Sequence, residues 1–262
     1  MEVIIRHDAA AAANLTAALV AARLRAKPAL VLGLATGRTM EAVYNVLVTM
    51  HHAHALDFAD CTTFNLDEYI GLAPEDEHSY RFYMNQLLFN RVNIDLKNTH
   101  IPHGLATDLR EEAARYEALI TQAGGIDLQL LGIGHAGHIG FNEPLSALMS
   151  RTRDKALTPT TRQQNAGMFG GDVGMVPKRA LTMGVGTILE ARELILLATG
   201  DAKAAIIAKA IEGPITSMIS ASAIQLHPNC KVILDDAAAS QLTHRDYYNW
   251  VFANEPEWDA YR

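Results

Sequence analysis

Cysteine, aromatic residues and long apolar runs are all scarce in this chain, and each shortage removes a class of protein. There are 2 cysteines, Cys61 and Cys230, each in an apolar strand-like run and neither in a CxxC or Cys/His spacing. A disulfide scaffold and a structural zinc module are thereby excluded, and both residues read as buried thiols of a reducing compartment. Nowhere do apolar residues run long enough to span a bilayer, and Glu2, Arg6 and Asp8 break up any signal-peptide core. The expectation is a soluble, cytoplasmic protein with no membrane partner. Positive charge is also short: 22 Lys and Arg against 29 Asp and Glu leave a formal charge of −7, which argues against nucleic acid as a partner. No repeat recurs at a fixed period, and no Pro/Ser-rich linker interrupts the chain.

What is present is ordinary globular material, 49% hydrophobic and 19% charged over 262 residues, enough to bury a full core. Short β-rich runs alternate with helix-length segments. Strands are expected at 2–5, 29–34, 61–66, 126–131, 194–199 and 230–234, and helices after Asp8 and over 39–53, 79–89, 108–123 and 201–212. Strands apolar on both faces require cover on both faces. The fold expected is therefore a single α/β domain over 1–262, with a doubly wound, mostly parallel sheet and helices on both sides. A charged, aromatic tail from about 244 should pack on the body or on a neighbouring subunit. The stretch Gly167 to Gly174 is the most loop-like and reads as a mobile segment.

Four polar clusters follow strands: ATGRT, DEY, HAGHIGFNEP and GDAK. In an open parallel sheet the carboxyl ends of the strands share one rim, so four clusters there make one site. Ala35, Thr36, Gly37, Arg38 and Thr39 lie between a strand and a helix start, where backbone N–H groups and the helix dipole hold an anion. Without a Lys-Ser/Thr ending this is not a nucleotide P-loop. Lys203 is placed to add a positive charge. Gly132 to Gly137 spells GxGxxG, but a glycine and a proline follow within seven residues, so no helix starts there and a dinucleotide site is rejected. In this loop, His138 and Glu143 are close enough for the carboxylate to orient the imidazole. Asp67 and Glu68 form another candidate acid–base pair. An anion cradle, a carboxylate and an oriented histidine, with no metal set or nucleophilic Ser or Cys among them, point to proton transfer on a small phosphorylated substrate.

The segments LGLATGRT, TFNLDEYIGL, HSYRFYMNQLLF, LGIGHAGHIGFNEPLSALMSRTR, VPKRALTMGVGTILEARELILLATGDAKAAI and SASAIQLHPN resemble, in order and spacing, the glucosamine-6-phosphate deaminase family over nearly the whole chain. The resemblance implies a Rossmann-like fold and cofactor-free, metal-free conversion of glucosamine 6-phosphate and water to fructose 6-phosphate and ammonia in amino-sugar catabolism. On it, Asp67 matches the base at C2 and C1, His138 the ring-opening acid–base residue, and Glu143 the carboxylate that orients His138. Residues 35–39 and Lys203 match the phosphate site. Some family members are hexamers activated by N-acetylglucosamine 6-phosphate, and the corresponding positions here include Ser146, Arg153 and Lys155, so a homo-oligomer is expected. Three departures stand out. The family usually has Asp or Asn two residues before the loop histidine, where this chain has Ala136; its phosphate-binding arginine falls on Gly167; and its TGGTP cradle is TGRTM here, so Arg38 is expected to bring a compensating guanidinium. The competing readings are a 6-phosphogluconolactonase-like hydrolase and a catalytically weakened sugar-phosphate binder or sensor. Galactosamine 6-phosphate is an alternative substrate.

Overall fold

Strands buried at every position form the middle of a central parallel sheet, because each is covered on both sides. The computed structural model describes residues 1–262. In chain order the first half runs β1 (Glu2–Arg6), α1 (Ala9–Ala26), β2 (Val31–Leu34), α2 (Arg38–His52), β3 (Thr62–Asn65), β4 (Asp67–Tyr69), α3 (Tyr80–Leu87), β5 (Thr99–His100) and α4 (Leu109–Gln122). The second half runs β6 (Leu128–Leu131), β7 (Arg153–Ala156), α5 (Pro159–Asn165), β8 (Arg179–Thr182), α6 (Val185–Leu189), β9 (Glu193–Ala198), α7 (Ala204–Ile211), β10 (Cys230–Asp235) and α8 (Arg245–Asn254). Helix starts fall where capping chemistry predicts. Asp8 accepts from the Ala11 N–H at 2.7 Å, Ser79 from Phe82 at 3.0 Å, and Asp108 from Arg110 and Glu111.

Seven strands form the main sheet in the order β1-β10-β9-β6-β2-β3-β5, all pairs parallel. From β2 the chain steps outward to β3 and β5, then returns to β6 on the other side of β2. The direction of winding therefore reverses between β2 and β6, and a crevice opens beyond their carboxyl ends. The loops that leave those two strands are the ATGRT and HAGHIGFNEP segments.

The DEY cluster, expected at the carboxyl end of the strand 61–66, is itself the strand β4. It pairs antiparallel with β8, which pairs antiparallel with β7, to make a second, three-stranded sheet. Three residues are too few to show a period of two, and the partner of Asp67, Thr182, is far away in sequence. This small sheet anchors the β6 loop: Thr182 Oγ1 accepts from the Phe141 N–H, and Asn142 donates to the carbonyls of Ile139 and Met183.

The stretch 167–174 begins in a 3-10 turn, Ala166–Phe169, and is tied down by Arg162, whose guanidinium donates to the carbonyls of Val173 and Val176. The tail packs on its own chain. Trp258 is buried and donates to Glu2 at 2.9 Å, while Tyr248 donates to Glu212 at 3.0 Å. Both cysteines are free and buried, and burial pushes their thiols up to about 12, so they stay neutral. No helix is long and apolar enough to cross a membrane.

Candidate active site

The crevice is a cavity of about 620 Å³. Its walls include all of Ala35, Thr36, Gly37, Arg38 and Thr39, together with Asp67, His138 and Lys203. Segments separated by up to 168 positions, 35 to 203, therefore meet in one place. Glu143 lies behind His138 rather than on the wall. Ser146, Arg153 and Lys155 lie outside the cavity, with Arg153 donating to Ser146 Oγ at 3.0 Å and to Asn142 Oδ1 at 2.9 Å.

Adjacent strand residues face opposite ways, and β4 uses this to separate Asp67 from Glu68. Glu68 turns to α3 and accepts the N–H groups of Tyr69, Tyr80 and Arg81. Burial raises it to about 7 against the pull of those amides. It fastens the start of α3 and is not the acid–base partner of Asp67 that its position in the sequence suggested. Asp67 faces the cavity. Burial, reinforced by the charge of Glu68, holds its carboxyl well above the usual range, which strengthens it as a base. Its Oδ2 approaches Gly140 of the β6 loop, 3.4 Å from where a Cβ there would stand.

His138 is buried, and its Nδ1 is 3.6 Å from Glu143 Oε2, an ion-pair distance rather than a hydrogen bond. Neither atom has any other partner, so each is the polar neighbour available to the other. The second oxygen of Glu143 accepts from the N–H and hydroxyl of Thr158. Burial pushes Glu143 up, but the imidazole and the Thr158 amide outweigh it and hold the carboxyl at about 2, so it is ionised at neutral pH. Ala136 contributes only a methyl group to this loop, and Glu143 is the carboxylate that stands beside His138. On its other side the imidazole lies across Gly134: a Cβ at 134 would stand 2.1 Å from Nε2. Gly134→Ala is expected to displace the ring and lower kcat by roughly 10²-fold, with little loss of folded protein by circular dichroism.

Lys203 donates to the Ile133 carbonyl at 2.7 Å, and burial lowers it to about 8. Arg38 makes no ion pair within the chain. It lines the cavity beside Gly167, with Nη2 at 3.0 Å from where a Cβ at Gly167 would stand. A side chain at 167 would claim that space.

Several lining residues carried no signal in the sequence: Gln164 and Asn165, and Glu41 in the first turn of α2; His135, the first residue of HAGHIGFNEP, lines it as well. Tyr80 and Tyr83 also line the cavity, and their i, i+3 spacing on α3 could have marked them as one face. The helix α5 that supplies Gln164 and Asn165 is pinned over the site: Gln164 accepts from the His135 N–H and Asn165 donates to the Tyr69 hydroxyl. No group of three or more His, Cys, Asp or Glu side chains could hold a metal ion.

The fold and the site define a class: an open α/β protein with a glycine turn at a helix start, a buried carboxylate and a histidine lining the crevice where its winding reverses. Residues 6–233 match the family described as glucosamine-6-phosphate isomerases/6-phosphogluconolactonase. The chain is 46% identical over 260 residues, 99% of its length and 100% of the relative's, to a glucosamine-6-phosphate deaminase of Streptomyces coelicolor. It is 49% identical over 251 residues to one of Hahella chejuensis, covering 96% and 95% of the two chains. A solved structure described as a monomeric glucosamine-6-phosphate deaminase superposes with a TM-score of 0.90 at 43% identity, over 92% of this chain and 100% of that one. A 6-phosphogluconolactonase from Trypanosoma cruzi shares the fold at a TM-score of 0.73 and 21% identity, over 92% and 97% of the chains. This protein belongs to the glucosamine-6-phosphate isomerase/6-phosphogluconolactonase family.

Proposed function

We propose that this protein converts glucosamine 6-phosphate and water to fructose 6-phosphate and ammonia. The observation that carries the reading is the single cavity shared by Asp67, His138, the 35–39 cradle and Lys203. Identities of 46–49% to deaminases, against 21% to a lactonase, favour this branch of the family.

The chemistry follows from the groups. His138, oriented by Glu143, exchanges a proton with the ring and anomeric oxygens and opens the pyranose. Asp67 removes the C2 proton and returns it to C1, converting the aldose amine to a C2 imine. Water adds at C2, and ammonia leaves as the ketone forms. The cradle amides, Arg38 and Lys203 hold the phosphate and so orient the reacting carbons. This reading needs no cofactor.

Release of ammonia from glucosamine 6-phosphate, coupled to detection of fructose 6-phosphate, tests the proposal directly. Binding without turnover would instead favour a sugar-phosphate sensor, and hydrolysis of a phosphogluconolactone without ammonia a lactonase. The ratio of kcat/KM for glucosamine and galactosamine 6-phosphate decides between the epimers. Because Lys203 loses its charge near pH 8, kcat/KM is expected to fall as pH rises through about 8. A Lys203→Met enzyme should be weaker and lack that limb; a wild-type profile flat to pH 9.5 would remove Lys203 from the phosphate site.

A second reading concerns regulation. The contact between Ser146 and Arg153 beside Lys155 is compatible with an anion site for N-acetylglucosamine 6-phosphate. The assembly that such regulation uses in hexameric relatives has no counterpart in the structure described as monomeric. Sigmoidal kinetics relieved by the acetylated sugar phosphate, with a sedimentation mass above one chain, would support regulation; hyperbolic kinetics of a monomer would end it. The place of action proposed is the cytoplasm.

A further inference from the structure

The cradle depends on a glycine that its neighbours in sequence restrain at a single hydrogen bond. Gly37 caps the start of α2 at φ 114°, a region that glycine enters freely and leaves as freely. Its neighbours in sequence supply one restraint, the Met40 N–H to the Gly37 carbonyl at 2.9 Å. The other restraint comes from α3. The hydroxyl of Tyr83 accepts from the Gly37 N–H at 3.2 Å and donates to the Gly37 carbonyl at 3.0 Å. One phenol thus holds both polar groups of a single residue.

This clamp determines which amides face an anion. With the Gly37 N–H engaged by Tyr83, the donors that the start of α2 offers to the cradle include the N–H groups of Arg38 and Thr39, which as first-turn amides have no acceptor within the helix. The Gly37 carbonyl and the Arg38 N–H belong to one planar trans peptide and point in opposite directions. Holding the carbonyl against Tyr83 therefore fixes the direction of the Arg38 N–H, and a flip of that peptide would turn the donor away.

We infer that Tyr83 is a positioning residue for phosphate binding: its hydroxyl locks the Gly37–Arg38 peptide in the orientation that presents the Arg38 and Thr39 amides to the anion. α3 is itself anchored for the task, since Glu68 accepts the Tyr80 and Arg81 amides at its start. The inference rests on the phosphate site proposed above and adds to it a residue that need not touch the ligand.

The test is Tyr83→Phe, which keeps the ring and removes only the hydroxyl. KM for glucosamine 6-phosphate and the competitive inhibition constant of inorganic phosphate are both expected to rise about tenfold, the equivalent of one or two ordinary hydrogen bonds, with kcat changed less than twofold. In parallel, the rise in melting temperature that inorganic phosphate gives the wild-type protein should shrink in the variant, a readout independent of turnover. Unchanged KM and phosphate inhibition in a folded variant would overturn the inference, whatever happened to its stability, and so would a loss confined to kcat. If the wild-type protein neither turns over the sugar phosphate nor responds to inorganic phosphate, it is the underlying phosphate site that fails.

Discussion

Asp67→Asn is expected to lower kcat for glucosamine 6-phosphate by roughly 10³-fold and, at the same time, to raise the melting temperature near neutral pH. Both effects have one cause. Burial and the neighbouring Glu68 hold the Asp67 carboxyl well above its ordinary range, so the folded state pays to ionise it. The same ionised form is the proposed base for the C2 proton. Because the folded value is raised, the favourable contribution of protonated Asp67 is full below the unfolded value and is lost as pH rises through the folded one. Asparagine has no charge to bury, so its stabilising effect should grow with pH. Thermal melts at pH 5 and pH 8 with a coupled kinetic assay check both halves. An Asp67→Asn enzyme with wild-type turnover would remove Asp67 as the base, and one less stable than wild type at pH 8 would show that its charge is compensated.

Arg38→Gly is expected to raise KM about 10- to 100-fold with a much smaller change in kcat. A hydrogen bond to a charged group contributes roughly 1.5–3 kcal/mol, and every 1.4 kcal/mol is about tenfold in affinity. The effect should shrink at high ionic strength, since Arg38 is exposed. Its geometry adds a stricter test. Nη2 lies 3.0 Å from the Cβ position of Gly167, so an arginine rooted at 167 reaches the same wall of the cavity. Gly167→Arg alone should crowd Arg38 and weaken binding, whereas Arg38→Gly with Gly167→Arg should recover most of the lost affinity. An unchanged KM in Arg38→Gly, or a double variant no better than the single, would refute a shared guanidinium position.

Most of the fold was legible because its signals are local. The mostly apolar runs 194–199 and 230–234 become inner strands, the one charge between Cys230 and Leu234, Lys231, being buried against Glu193, and Asp8, Ser79 and Asp108 start helices since their side chains reach amides two or three residues away. The second sheet was hidden because β4, β7 and β8 hold three or four residues each and pair across long sequence distances. For the same reason the sequence shows DEY only as a polar cluster after a strand, with Glu68 as a candidate partner of Asp67.

The site divides along a similar line. The sequence by itself determined which chemistry was on hand: a glycine loop before a helix, a carboxylate after a strand, and a histidine with a carboxylate in a loop too rich in glycine and proline to be helical. Only the tertiary structure decided how those groups act, because a side chain's direction, burial and neighbours come from contacts between distant segments. It turned Asp67 into the cavity and Glu68 away from it, brought Arg38 across to Gly167, and laid the Tyr83 hydroxyl on Gly37.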